Sequence, residues 1–189
     1  TGKQVLLQKI REAEREVVYA EYAPRIGTLM TGTVQARKGS IQIISLGKAE
    51  GILPRSETSP VENFNEGDTI RIALSEVNMQ ANRVQLVCSR AHPDLVRRLF
   101  ELEIPEVADH IVEIKAISRE PGYRTKIAVT TYDNNVDCVG ACVGVKGSRI
   151  RNIVDELSNE KIDIVRWNDS IEILIMESLR PAEIASLDL

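Results

Sequence analysis

Gly140-Ala-Cys-Val-Gly-Val-Lys-Gly-Ser-Arg-Ile150 is the stretch on which the fold of this 189-residue chain turns. Its centre, Gly144-Val145-Lys146-Gly147, places two glycines three apart between segments with helical apolar spacing. Glycine takes positive φ without strain, so the backbone can reverse sharply here. With no side chain at either end of the turn, a phosphodiester backbone could approach the main-chain N–H groups. Lys146 lies in the turn, Ser148 opens the next helix, and Arg149 and Arg151 fall in its first turn. A helix start presents unpaired N–H donors and partial positive charge. Standing alone, a GxxG marks a helix–helix turn and no more, and basic side chains beside it read equally well as a solvated face. The neighbourhood decides: no acidic residue occurs from Gly140 through Val154, while three basic ones do. The candidate phosphate-binding set is Gly144, Val145, Lys146, Gly147, Ser148, Arg149 and Arg151.

Reading outward, residues 92–103 predict a helix opened by Pro93, with Leu95, Val96, Leu99, Phe100 and Leu102 near one face. Ile104-Pro105-Glu106 breaks it. Asp109–Arg119 and Arg124–Thr131 alternate as two strands, joined at Pro121-Gly122, a favourable turn pair. Val136–Val143 predicts a short helix, and Ser148–Ser158 an amphipathic one with Ile150, Ile153, Val154 and Leu157 inward. Lys161–Trp167 reads as a closing strand. The order α-β-β-α-GxxG-α-β resembles the type II (prokaryotic) KH domain, whose GxxG clamps single-stranded nucleic acid. Arg119, Arg124 and Lys126, near the hairpin, are weaker candidates for RNA contact.

Upstream the apolar period changes to two. Thr28–Ala36, Ser40–Leu46, Glu50–Leu53, Thr69–Val77 and Arg83–Cys88 predict five short strands, with turn chemistry at Lys38-Gly39, Pro54-Arg55 and Asn78–Asn82. Five such strands predict a small closed barrel of OB type, since closure removes exposed edges. Gly27-x4-Gly32-Thr-Val, Glu50-Gly-Ile-Leu-Pro-Arg-Ser-Glu57, Phe64-x2-Gly67-Asp-Thr-Ile-Arg-Ile72 and Arg83-Val-Gln-Leu-Val-Cys-Ser-Arg90 occur in that order and resemble the S1 RNA-binding motif. OB-folds commonly stack bases on aromatic side chains. Phe64 is the only aromatic residue in this segment, and its place beside Gly67-Asp68 predicts a structural role. Arg37, Lys38, Lys48 and Arg55 are the barrel's weaker candidates for RNA contact.

Residues 3–22 predict the clearest helix, with Val5, Leu6, Ile10, Ala13, Val17, Val18 and Tyr19 at helical spacing, Glu12 and Arg15 placed to pair, and Pro24 as its stop. Asp169–Leu179 admits either strand or helix. Helix is favoured, with Asp169 and Glu172 placed for a capping box. Thr1 in place of Met predicts a piece cut from a longer protein. No apolar run approaches the ~20 residues of a membrane span, and the start shows no signal peptide.

Cys88, Cys138 and Cys142 form no disulfide framework and predict free buried thiols in a reducing, cytoplasmic setting. The spacing of His, Cys, Asp and Glu predicts no metal site, no cofactor and no catalytic cluster. The net charge of −4 would argue against a polyanion partner. However, residues 155–189 hold nine acidic and three basic residues, leaving 19 acidic and 21 basic in residues 1–154. Charges interact mainly within ~10 Å at physiological salt, so local patches set phosphate attraction.

Ser89-Arg-Ala-His-Pro93, Leu99-Phe-Glu-Leu-Glu-Ile-Pro-Glu106, Val112-Glu-Ile-Lys115, Lys126-Ile-Ala-Val129, Val136-Asp-Cys-Val-Gly-Ala-Cys-Val-Gly144, Gly147-Ser-Arg-Ile150 and Glu160-Lys-Ile-Asp-Ile164 together resemble the NusA family of bacterial transcription termination/antitermination factors. The resemblance covers essentially the whole chain. It departs at Cys138, where the family usually has Pro, and at Lys146, where Arg is commoner. It implies a non-enzymatic elongation factor that binds single-stranded nascent RNA, RNA polymerase and other Nus factors. It also implies a division into residues 1–25 (the closing helix of a polymerase-binding domain), 26–90 (S1), 91–168 (first KH domain) and 169–189 (start of a second KH domain). Two other readings are an accessory S1/KH module of an RNA-processing enzyme and a ribosome-associated protein. The first is opposed by the barrel preceding the KH pattern and the second by the chain's low basicity.

Overall fold

The computed structural model describes residues 1–179. The expected opening of a further domain therefore lies outside the described residues over 180–189. The chain divides into two compact units, Thr1–Leu95 and a second that begins at Val96.

In the first unit, helix α1 (Gly2–Tyr22) is followed by strands β1 (Leu29–Lys38), β2 (Ile41–Ser45), β3 (Glu50–Pro54), β4 (Thr69–Met79) and β5 (Val84–Ser89). The strands close in the order β1-β2-β3-β5-β4. All pairs are antiparallel except β3 with β5, which joins Gly51 to Leu86 and Ile52 to Val87 in parallel. That pairing closes the barrel, as the strand count predicts. Alternation puts Val34, Ile44, Leu53, Ile70, Ile72, Leu74, Leu86 and Cys88 inside. Gly32 and Gly51 are there for space: a Cβ would lie 2.4 Å from Ile44 Cγ2 at the first and 2.6 Å from Cys88 Sγ at the second.

Helix α1 lies on this barrel through its last turns only. Tyr22 is buried and donates its hydroxyl to the Leu46 carbonyl oxygen at 3.2 Å, and Val18 packs against the core. Arg15 donates to the carbonyl oxygens of Gln80 and Ala81 across the β4–β5 turn, where the sequence predicts pairing with Glu12. Val5, Leu6, Leu7, Ile10 and Val17 stay exposed. Phe64 has the expected structural role: it packs against the barrel core, with the Arg90 guanidinium 5.4 Å from its ring centre. Arg90 is buried, pairs with buried Glu62 and donates to the Arg71 carbonyl oxygen at 2.8 Å.

Helix α2 (Pro93–Glu103) carries the chain from the first unit into the second. There follow α3 (Pro105–Ala108), β6 (Val112–Glu120), β7 (Arg124–Thr131), α4 (Cys138–Val143), α5 (Ser148–Glu156), β8 (Lys161–Arg166) and α6 (Ile171–Ser178). The sheet order is β6-β7-β8, with β6 antiparallel and β8 parallel to the central β7. This is the KH arrangement with one added element: Pro105, which reads as a break in the sequence, begins the short helix α3. Proline fits that position because a first-turn N–H has no intrahelical acceptor to lose. The segment after β8 is helical, as favoured, but without the capping box. Ser170 is the N-cap and makes no side-chain cap bond, and Asp169 accepts from Trp167 Nε1 at 3.0 Å.

All three cysteines are free and buried. Burial pushes the Cys88 thiol up to about 12, and burial, reinforced by Cys138 and Glu106, pushes Cys142 up to about 12. The thiolate is the reactive form, so at pH 8 both are expected to resist a disulfide-exchange reagent while the protein is native and to react on denaturation. Stoichiometric native-state labelling of Cys88 or Cys142 in a timed thiol titration, located by peptide mapping, would contradict this packing.

Candidate nucleic-acid interface

The GxxG turn is built by three departures from ordinary helical backbone, at Gly144, Lys146 and Gly147. Helix α4 stops at Gly144 (φ 77°, ψ 177°), whose N–H donates to the Gly140 carbonyl oxygen at 2.9 Å. A 3-10 turn over Val145–Gly147 follows, with Lys146 left-handed at φ 53° and Gly147 at φ 74°. Helix α5 then starts at Ser148 with no side chain capping its N-terminus. The Ser148 N–H donates to the Val145 carbonyl oxygen, and a helix start with no side-chain cap suits an anion.

The seven predicted residues come together here, but with different surroundings. Val145 is 81% exposed at the tip of the turn, and Lys146, Ser148 and Arg151 are also exposed. Arg151 Nη2 donates to the Lys146 carbonyl oxygen at 3.2 Å, bracing the left-handed residue while most of its guanidinium faces solvent. Arg149 is placed otherwise. Its Nη1 donates to Glu106 Oε2 at 2.7 Å and to the Ala141 carbonyl oxygen at 2.8 Å. Its stem lies against Gly144, where a Cβ would come within 2.7 Å of Arg149 Cγ. Arg149 thus ties α4, the turn and α3 together.

The absence of acid along residues 140–154 does not hold in space. Glu106 of α3 pairs with Arg149, and Glu103 of α2 accepts from Asn152 at 3.2 Å. Neither is legible in the sequence, because 43 residues separate Arg149 from Glu106 and the α3 segment reads there as a break.

The hairpin cations divide as sharply. Arg119, a weaker candidate for RNA contact in the sequence, is placed otherwise: its side chain is 1% exposed and its guanidinium grips Glu160, which is 0% exposed. Glu160 also accepts from Gly122 N at 2.6 Å and Thr125 Oγ1 at 2.6 Å, so the group locks the β6–β7 turn. Arg124 and Lys126 remain partly exposed but share Asp163, at 2.7 Å and 3.6 Å, and Lys126 also donates to the Ser178 carbonyl oxygen. In the barrel, Arg37, Lys38 and Arg55 are exposed, and Lys48 makes only a loose 3.9 Å contact with Glu21. Among the described residues there is no His/Cys/Asp/Glu group able to hold a metal ion, and no helix long and apolar enough to cross a membrane.

Residues 90–167 match the family model of the NusA-like first KH domain. Over 188 residues the chain is 44% identical to a protein of Halalkalibacterium halodurans called transcription termination/antitermination protein NusA, covering 100% of this chain and 49% of the relative. A protein of the same name from Bacillus subtilis is 44% identical, with 97% and 50% covered. The Thermus thermophilus protein of that name is 42% identical, with 99% and 49% covered. The chain spans about half the length of these relatives.

Proposed function

For a chain that belongs to the NusA family, matching its members along its whole length, we propose an RNA-binding part of a transcription elongation factor that modulates pausing, termination and antitermination. It acts by holding single-stranded nascent RNA on the GxxG turn while the rest of the protein engages RNA polymerase and other Nus factors. The setting is cytoplasmic and the role non-catalytic. Residues 1–25 belong with a polymerase-binding domain in this reading, and residues 169–179 with a second KH domain.

One observation carries this reading: an uncapped helix start and a two-glycine turn coincide with the exposed cations Lys146 and Arg151. The RNA backbone lies across Gly144–Gly147, with Lys146 and Arg151 facing phosphates, Val145 against a sugar or base, and Ser148 available to a phosphate oxygen. Arg149 holds the turn in shape through Glu106 and Ala141. One such clamp takes about four nucleotides.

Removing one phosphate-binding cation should lower the log–log salt dependence of single-strand binding by about 0.7. Lys146→Ala with Arg151→Ala is therefore expected to flatten the slope by about 1.4. Arg149→Ala should weaken binding at every salt concentration and leave the slope nearly unchanged. Fluorescence anisotropy with a labelled oligoribonucleotide across a salt series reads both. A slope unaltered in the double variant rejects the clamp, and a slope flattened by about 0.7 in Arg149→Ala returns that residue to the phosphates.

A further inference from the structure

A cleft of about 320 Å³ lies between helix α1 and the outer face of the barrel, where β2, β3 and β5 run side by side. Ile43 of β2 and Ile52 of β3 are cross-strand partners on its floor. Alternation sends their neighbours Ile44 and Leu53 into the core and leaves these two outward and half-buried. Across from them, Arg11 and Arg15 stand one helical turn apart on α1, and Val18 follows on the same side. Arg15 is engaged through one nitrogen only. Its Nη1 donates to the carbonyl oxygens of Gln80 and Ala81. Its Nε is buried without a hydrogen-bond partner, and Nη2 makes no hydrogen bond to a described residue. Arg11 has no ion-pair partner among the described residues.

Nε and Nη2 together form the edge on which a guanidinium takes a carboxylate side-on, through two parallel N–H···O bonds. A buried donor without an acceptor is destabilising, and this one sits in the wall of a cleft with an apolar floor. Lys48 and Arg83 join Arg11 and Arg15 on the lining, as do two exposed carboxylates, Glu14 and Glu50. Cations therefore outnumber acids, but the acids are interspersed. A run of phosphates fits such a rim poorly, because Glu14 and Glu50 repel its successive charges. A single carboxylate with an apolar neighbour fits it well. We infer that this cleft docks a short acidic–apolar segment of a protein partner. An Asp or Glu carboxylate sits on the Nε–Nη2 edge of Arg15, supported by Arg11, and the adjoining aliphatic or aromatic side chain lies on Ile43 and Ile52. The volume is at the small end of the range for organic ligands, which suits a few side chains rather than a folded surface. The bound segment bridges α1 and the barrel. No residue of the GxxG turn takes part, so occupancy of the cleft and RNA binding at the clamp fail separately.

The test is amide NMR on the 189-residue chain, titrated with a capped peptide that carries one aspartate between leucine and phenylalanine. Saturable shifts are expected over residues 11–18, 43–52 and 82–85. The same peptide with asparagine in place of aspartate should bind at least about tenfold more weakly. Arg15→Lys keeps a charge and a donor for the Gln80 and Ala81 carbonyls but loses the side-on edge. It should weaken the aspartate peptide about tenfold and leave the asparagine peptide unchanged. Ile52→Thr should weaken both peptides alike, since it removes apolar contact only. No saturable response overturns the inference, as does equal affinity for the two peptides. So does an aspartate peptide whose affinity survives Arg15→Lys. A short single-stranded RNA that shifts residues 11–18 and 43–52 and displaces the peptide would also overturn it and give the cleft to RNA.

Discussion

Glu160→Ala is expected to remove about 3–5 kcal/mol from the stability of the GxxG unit, because it strands a buried guanidinium. Glu160 is fully buried between the Arg119 guanidinium, held at 3.1 Å through Nε, the Gly122 N–H and the Thr125 hydroxyl. Deleting the carboxylate removes the counter-ion of a buried guanidinium and the acceptor of the Gly122 N–H and the Thr125 hydroxyl. Domains of this size are stable by only about 5–15 kcal/mol, so the loss takes a large share of the total. The readout is built in: Trp167 is the only tryptophan, and its backbone N–H is bonded to the Val129 carbonyl oxygen at 2.8 Å, at the end of β8. Its fluorescence therefore reports this unit and not the barrel. The urea midpoint should fall by at least about 1 M. Arg119→Met with Glu160→Leu and Thr125→Val should recover most of the loss, since an apolar group of similar volume can replace a buried ion pair. Recovery should remain incomplete by the stranded Gly122 N–H, about 1–3 kcal/mol. A midpoint unmoved by Glu160→Ala would mean that the pair is not buried in solution.

The same group shows where sequence reading stops. Arg119, Arg124 and Lys126 look alike in sequence, three cations on a hairpin with alternating pattern. Only Glu160, 41 residues from Arg119, and Asp163, 39 residues from Arg124, separate a buried structural cation from two half-exposed ones. Local pattern cannot carry that information, because it is a property of which strands pair. β7 is legible to the residue, Arg124–Thr131, since alternation and flanking turns are local. So are the barrel strands, whose limits shift by only a few residues. α3 is not legible, because a proline serves equally to stop one helix and to start the next. Arg149 combines both failures: its partner Glu106 lies in the helix that reads as a break. The turn is legible from its glycines and flanking charge, but which charges face outward depends on contacts across the unit.

Gly144→Ala is expected to damage the clamp far more than Gly147→Ala, although the motif treats the two glycines alike. Gly144 sits at φ 77° and ψ 177°, a region essentially closed to residues with a side chain and carrying about 1–3 kcal/mol of strain when forced. The added Cβ would also meet the Arg149 stem at 2.7, 3.1 and 3.1 Å, an overlap worth about a further 1–3 kcal/mol. The chain escapes by rebuilding the turn, and moving Arg149 breaks its bonds to Glu106 and Ala141. RNA affinity should fall at least about tenfold, equivalent to about 1.4 kcal/mol. Gly147 is different: it is left-handed at φ 74° and ψ 18°, and the nearest atom to a Cβ would be Ile150 Cγ2 at 3.8 Å. Alanine there costs about 1–2 kcal/mol of backbone strain without a clash, and the turn keeps its shape. Unfolding followed through Trp167, with anisotropy on the same samples, separates the cases. Gly144→Ala should lose both stability and RNA. Gly147→Ala should lose little stability, so any RNA it loses measures how closely a phosphate approaches that residue. Equal stability losses at the two glycines, with the Glu106–Arg149 pair intact, would show that the turn is not held by Arg149 and that the clamp is shaped elsewhere.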